Sequence, residues 1–169
     1  MNSAAESILE RLGEMGIAFD VLTHAPVHTI VDCAPIEAAL DAVVAKNYFL
    51  STKNQKRFFL CLVRPNARFR TADISRQAGS TRLSFGTEEA LYSLLHTVPG
   101  AVSPLGLVFD GAGAVELLVD GALSGTQRIA FHPCDNCRTV AMSTADFFER
   151  FLPGVGHEPR MVEIHDFMK

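Results

Sequence analysis

No stretch of this 169-residue chain approaches the roughly 18 uninterrupted apolar residues that a membrane-spanning helix needs. The opening, MNSAAESILERLGEMG, has acids on both sides of its apolar positions and no continuous apolar run, so it reads as neither a secretory signal nor a transit peptide. Together these absences lead to the expectation of a cytoplasmic protein without a membrane partner. Cysteine is scarce too. Cys33, Cys61, Cys134 and Cys137 are few for the length, and two of them sit in apolar runs where a buried thiol is an ordinary core residue. Cys134-Asp135-Asn136-Cys137 is a CxxC, but there is no second CxxC or His pair at ligand spacing, so no metal site is expected. It reads as two small residues in a turn, with zinc binding or thiol redox chemistry as the competing reading. GxSxG, Walker, HExxH and Rossmann patterns are all missing, so no standard catalytic signature marks the chain.

What is present suffices for one core. The composition is 48% hydrophobic with 12 Phe, and the length suits a single domain over 1–169. Charge is unevenly spread. Between positions 46 and 82, nine basic residues (Lys46, Lys53, Lys56, Arg57, Arg64, Arg68, Arg70, Arg76, Arg82) face one acid, Asp73. That segment carries +8 in a chain whose net charge is −4. Such asymmetry is either the footprint of a polyanion held on one side or a solvated face whose arginines pair with distant acids.

Periodicity predicts a helix over 3–15, with Ser3 as a possible N-cap, and a short strand over 19–22. A short helix over 35–42 would carry Pro35 in its first turn. Strands are expected at 43–50 and 57–63, joined as a hairpin, and again at 105–109 and 115–119, joined through Asp110-Gly111-Ala112-Gly113 as a second hairpin. Helices are expected at 71–78, at 88–96 with Thr87 as cap, and at 144–151 with Ser143 as cap. Further short strands fall at 128–131, 139–142 and 161–164. The order is irregular, which favours an α+β fold with one mixed, mostly antiparallel central sheet over a regular parallel βαβ arrangement.

Three local groups could carry chemistry. Lys46-Asn47 interrupts an apolar strand, where the lysine either meets solvent or enters a cleft and holds a phosphate or an oxyanion. Gly100-Ala101-Val102-Ser103-Pro104-Leu105-Gly106 reads as a loop entering a strand, whose Gly and Pro fix a backbone path close to a ligand, or simply as a turn. His132-Pro133, followed by Asn136, stands at a strand end, where a histidine is an acid, a base or a pocket wall. The remaining histidines, His24, His28, His96, His157 and His165, show no partner spacing and read as structural.

These groups, with His24-Ala25-Pro26-Val27-His28-Thr29, Ala45 to Leu50, Arg82-Leu83-Ser84-Phe85, Phe131-His132-Pro133 and the tail Gly156-His157-Glu158-Pro159, resemble the YbaK-like aminoacyl-tRNA deacylases. The nearest branch is the free-standing prolyl-tRNA editing proteins, relatives of the editing insert of bacterial prolyl-tRNA synthetase. The resemblance implies a compact mixed-sheet domain that removes mischarged alanine from proline tRNA without a cofactor. Its partners would be the tRNA acceptor end and, in addition, a prolyl-tRNA synthetase. It assigns activity to Lys46, the loop that orients the aminoacyl group to Gly100 and Pro104, and the pocket histidine to His132. Asn47, Ala101, Val102, Ser103 and Asn136 join the expected substrate-binding set. The general base would be the 2′-hydroxyl of the substrate itself. Selection would be by size, with Val44 and Val102 as the floor of the pocket. Ala45, where the family often has Thr, and the cysteines at 134 and 137 depart from the pattern. A catalytically silent module that holds tRNA or aminoacyl groups shares all these features and is the alternative reading.

Overall fold

The computed structural model describes residues 3–27 and 30–164, with the side chains of Ser3, Ile30 and Val31 outside the described set. The cap expected of Ser3, and His28, Thr29 and His165, therefore lie outside it. Two mixed sheets stand where one was expected. The first orders its strands β1 (Phe19–Thr23), β8 (Arg138–Ser143), β7 (Arg128–Phe131) and β2 (Val43–Val44). The second runs β5 (Leu83–Phe85), β3 (Lys46–Thr52), β4 (Phe58–Val63), β6 (Val115–Asp120) and β9 (Arg160–Val162).

Alternation of side chains along each strand builds the layers. Leu60 and Leu62 of β4 face Ile129 and Phe131 of β7 and Val140 and Met142 of β8 across a shared core. Ile8 and Leu12 of α1 (Ser3–Glu14) join them. The intervening residues point outward. Ala130 and Ala141 pack under Ile36 and Leu40 of α2 (Ile30–Leu40), while Phe59, Cys61 and Val63 pack under Ile74 of α3 (Thr71–Gln77). Both sheets are thus apolar on two faces, which is why their sequences read as near-continuous hydrophobic runs.

The strand expected at 43–50 is two strands. Val43 and Val44 pair parallel with Ile129 and Ala130 in the first sheet, and from Lys46 onward the chain pairs antiparallel with β4 in the second. The apolar run is continuous because both halves are buried, so hydrophobicity does not mark the change of sheet. The β3–β4 hairpin is as expected.

The second hairpin is overturned. Residues Pro104–Phe109 form a 3₁₀ helix, and β6 pairs parallel with β4 and with β9. The Ser103 hydroxyl accepts the Leu105 N–H at 3.0 Å, and Pro104 sets the φ of the first turn. Asp110 then ends the helix by accepting the Ala114 and Val115 N–H groups at 2.9 and 2.8 Å. Capping of this kind outweighs the β-like run Leu105 to Phe109. Gly111 to Gly113 lie in the turn from that helix into β6 rather than in a hairpin.

Two helices also differ from expectation. α2 begins at Ile30, so Pro35 lies inside it instead of in its first turn. α4 (Glu88–Leu95) follows Thr87, whose hydroxyl accepts the Ala90 N–H at 3.1 Å as expected. α5 starts at Thr144–Asp146 after the Ser143 cap and continues through a π-helical turn, Phe147–Phe151, into Leu152–Gly154, beyond the predicted end. The short strand β5 has no counterpart among the expected elements.

Candidate active site

The change of sheet at Ala45 creates the site. β2 and β7 run parallel with Val44 opposite Ala130, so both chains leave the first sheet at the same end, one through Lys46 and the other through His132. The side chain of Glu37 secures the joint by accepting the Val44 N–H at 2.8 Å, and Ala45 donates to the Ala130 carbonyl at 3.3 Å. Lys46, Asn47, Tyr48 and His132 thereby line one cavity of about 400 Å³, bounded elsewhere by Val27, Cys33, Val44, Ala45, Pro65, Gly100 and Val102. Its lining is predominantly small and apolar, with Lys46, Asn47 and His132 grouped at the joint.

His132 is held in a defined tautomer. Nδ1 lies 3.0 Å from the Arg138 carbonyl, which can only accept, so Nδ1 carries the proton and Nε2 keeps its lone pair. Thr139 Oγ1 lies 3.3 Å from the same Nδ1 and 2.7 Å from His24 Nε2, and His24 Nδ1 lies 2.7 Å from the Ala25 carbonyl. Every hydrogen is accounted for if Thr139 donates to His24 Nε2 and shares the His132 Nδ1–H. Burial lowers the pKa of His132 below the usual histidine value, and His24 acts in the same direction. The Arg138 carbonyl and Asp135 pull the other way. The ring is therefore a neutral hydrogen-bond acceptor toward the cavity.

The loop before the 3₁₀ helix is rigid. Thr97 Oγ1 donates to the Ala101 carbonyl at 2.8 Å, and Ala101 N–H donates to the Val98 carbonyl at 3.0 Å. Gly100 has φ +92°, a conformation that favours glycine, and borders the cavity together with Val102. Ala101, Ser103 and Pro104 are buried behind the wall, where they shape the loop without lining the cavity. Gly106 packs against α4 so closely that a Cβ there would stand 2.7 Å from the Leu95 carbonyl oxygen.

Asn47 donates from Nδ2 to the Ala45 carbonyl at 3.3 Å, while its buried Oδ1 has no hydrogen-bond partner among the described residues. A buried acceptor left this way costs roughly 1–3 kcal/mol until a donor arrives. Asn136 is not part of the cavity lining; its Oδ1 lies 3.7 Å from the Cys137 sulfur. Cys134 is buried beside Leu95, and burial pushes its thiol up to about 12, the opposite of what a redox-active thiol needs. Cys33, in the cavity wall, also has its thiol raised, first by burial and then by Glu37 and Asp32.

Sequence reasoning missed Cys33, Tyr48, Pro65, His24 and Thr139. His24 and Val27 sit in a stretch already singled out, but the pairing of His24 with Thr139 has no signal in local spacing. The basic segment divides. Arg57 makes a two-pronged pair with Glu116 at 2.9 Å, Arg64 pairs with Asp120 at 3.4 Å, and Arg76 pairs with Asp73. Lys53, Lys56, Arg68 and Arg82 are exposed and form no ion pair among the described residues. Part of the segment is therefore ordinary ion pairing, and part is free for an anionic partner.

Known proteins resemble this chain over nearly its whole length. Residues 24–149 match the family model described as the aminoacyl-tRNA editing domain. The prolyl-tRNA editing protein ProX of Acetoanaerobium sticklandii is 30% identical over 161 residues, covering 95% of this chain and 98% of the relative. The prolyl-tRNA synthetase associated domain-containing protein 1 of Mus musculus is 32% identical over 154 residues, covering 89% and 90%. Among solved structures, a candidate trans-editing enzyme for prolyl-tRNA synthetase superposes with a TM-score of 0.75 at 15% identity, covering 98% of this chain and 99% of that one. At that identity the superposition speaks for the fold.

Proposed function

Because the chain belongs to the aminoacyl-tRNA editing domain family, we propose that it is a trans-editing deacylase that hydrolyses the ester of mischarged proline tRNA, with alanine the amino acid removed. The observation that carries this reading is the convergence of Lys46, Asn47, Gly100, Val102 and His132 on one small, largely apolar cavity. The names of the relatives from Acetoanaerobium sticklandii and mouse support proline tRNA as the substrate and a prolyl-tRNA synthetase as an additional partner.

An aminoacyl ester is already activated, so hydrolysis requires a held carbonyl, a positioned water and stabilisation of negative charge as the carbonyl oxygen becomes an oxyanion. Lys46 supplies the cation, for the terminal phosphate or the oxyanion. Asn47 Oδ1 and His132 Nε2 are acceptors without protons of their own, suited to the α-ammonium group of the substrate or its 2′-hydroxyl. The backbone at Gly100 closes against the aminoacyl group, with Ala101, Ser103 and Pro104 holding the loop. Val27, Val44 and Val102 limit the side chain admitted. A synthetase pocket rejects a smaller amino acid by only about 1–3 kcal/mol per methylene, and a second, narrower site makes up the difference.

We read the whole chain, 1–169, as one such domain working in the cytoplasm. None of the helices among the described residues is long and apolar enough to cross a membrane. The test is release of labelled amino acid from a panel of mischarged proline tRNAs, alanine and cysteine first, with wild type beside Lys46→Ala. Alanine release that the substitution abolishes is the expected result. Binding without release from any member would make the protein a silent module instead.

A further inference from the structure

Tyr48 belongs both to the cavity and to an aromatic cluster outside it. Its ring stacks on Phe69 with centroids 4.0 Å apart and planes 13° from parallel, and it meets Phe85 at 6.2 Å and 41°. Lys46 Nζ lies 5.4 Å from the centre of the same ring. Strand alternation explains the grouping, because Lys46 and Tyr48 leave β3 on one face and β5 lies alongside with Phe85 opposite Leu50. Phe69 arrives from the segment that leads from β4 into α3.

Phe85 is 65% exposed on an edge strand. A lone exposed aromatic is unremarkable, but this one adjoins, at a tilt, a stacked pair that ends in the cavity wall. Cations surround it in the sequence. Arg68 and Arg70 flank Phe69, Arg82 precedes β5, and all three are exposed. Aromatic faces interleaved with arginines are the chemistry by which proteins hold single-stranded nucleic acid, the rings stacking on bases and the cations tracking phosphates.

We infer that Tyr48, Phe69 and Phe85 form a platform on which the terminal nucleobase of the RNA stacks while the amino acid esterified to its ribose occupies the cavity. This rests on the proposed deacylase reading, since base, ribose and ester are consecutive parts of one nucleotide and Tyr48 borders both compartments. Arg68, Arg70 and Arg82 then face the phosphates of the preceding nucleotides. Stacking reads a planar face rather than a base identity, so the platform selects an unpaired RNA end.

The probe is an uncharged acceptor-stem RNA hairpin whose terminal base is 2-aminopurine, a fluorophore quenched by stacking. Wild type quenches it. Phe85→Ala and Phe85→Leu lose most of the quench and bind roughly tenfold more weakly, and Phe85→Trp restores both, as expected for one stacked base. Phe85 is at the surface, so these variants keep the fold, which unchanged thermal melting verifies. Full quenching by Phe85→Ala, or equal binding by Phe85→Leu and wild type, overturns the platform. Ester release by wild type without any quench overturns it too, while leaving the deacylase reading intact. Quenching that depends on Phe85 without ester release supports the platform and sinks the deacylase instead.

Discussion

His24 and His132 share the hydroxyl of Thr139, which lies 2.7 Å from Nε2 of the first and 3.3 Å from Nδ1 of the second. Thr139 is fully buried on β8, so no water replaces it. Thr139→Val keeps the shape and removes the shared bond. The expected cost is about 1–3 kcal/mol of stability from polar groups left unpaired, with a lower kcat, and Thr139→Ser restores both. Urea unfolding and single-turnover ester release measure the two effects. A valine variant with wild-type kcat would show that the histidine pair does not position the site.

The pH dependence follows from His132. Its pKa is lowered in the folded protein, so as pH falls the unfolded chain takes up the proton first, and stability is lost below the ordinary histidine value. Above that value the contribution is complete. The neutral ring is also the acceptor in the site. Deacylation is therefore expected to hold steady as pH falls through the ordinary histidine range and to drop only below it. A kcat/KM profile recorded beside an NMR titration of His132 tests this, and a fall in rate at the ordinary histidine value would contradict it.

Gly106 is a packing requirement. Its missing Cβ would press on the Leu95 carbonyl oxygen and stand 3.1 Å from the Leu95 Cβ. Gly106→Ala is expected to destabilise the protein by about 1–3 kcal/mol, as overpacking does, and to disturb the loop that carries Gly100. Gly100→Ala meets open space and suffers only the strain of its positive φ. Thermal melting of the two variants should rank them in that order.

His157 pins the segment after α5 to the start of β6. Its Nε2 lies 2.9 Å from Asp110 Oδ2 and its Nδ1 lies 2.9 Å from the Val155 carbonyl, with both side chains almost fully buried. Asp110 retains two backbone N–H donors when the ring is removed. His157→Ala is therefore expected to cost about 1–3 kcal/mol in denaturant melts while leaving the cavity walls in place.

Arg68 and Arg70 offer the test of the basic face. Removing both charges should weaken tRNA binding and flatten its dependence on salt, by roughly one unit of slope for each phosphate that is no longer neutralised. Titrations at several salt concentrations measure it, and an unchanged slope would move the RNA to another face.

Much of this was legible in the chain itself. Thr87 and Ser143 announced their helices because a capping hydroxyl acts on the nearest turn. Lys46 and His132 stood out as polar positions beside apolar strands, and Gly100 and Val102 as members of a loop whose path Gly and Pro fix. The change of sheet at Ala45 was hidden because residues on both sides are buried, and burial on both faces erases alternation. The 3₁₀ helix at Pro104 was hidden for a different reason: the run Leu105 to Phe109 looks like a strand unless Ser103 and Asp110 are recognised as its two caps. Thr139 carried no signal, since its role depends on a histidine from the far end of the chain.

The joint at Ala45 also limits how the chain can vary in length. β2 is locked in register to β7 on one side, and β3 to β4 on the other. A residue inserted between them that slipped β3 by one place would turn every β3 side chain to the opposite face, moving Lys46 to the place of Asn47 and Asn47 to that of Tyr48. Insertions and deletions must then be absorbed in surface turns such as 53–57, while this short stretch keeps its length.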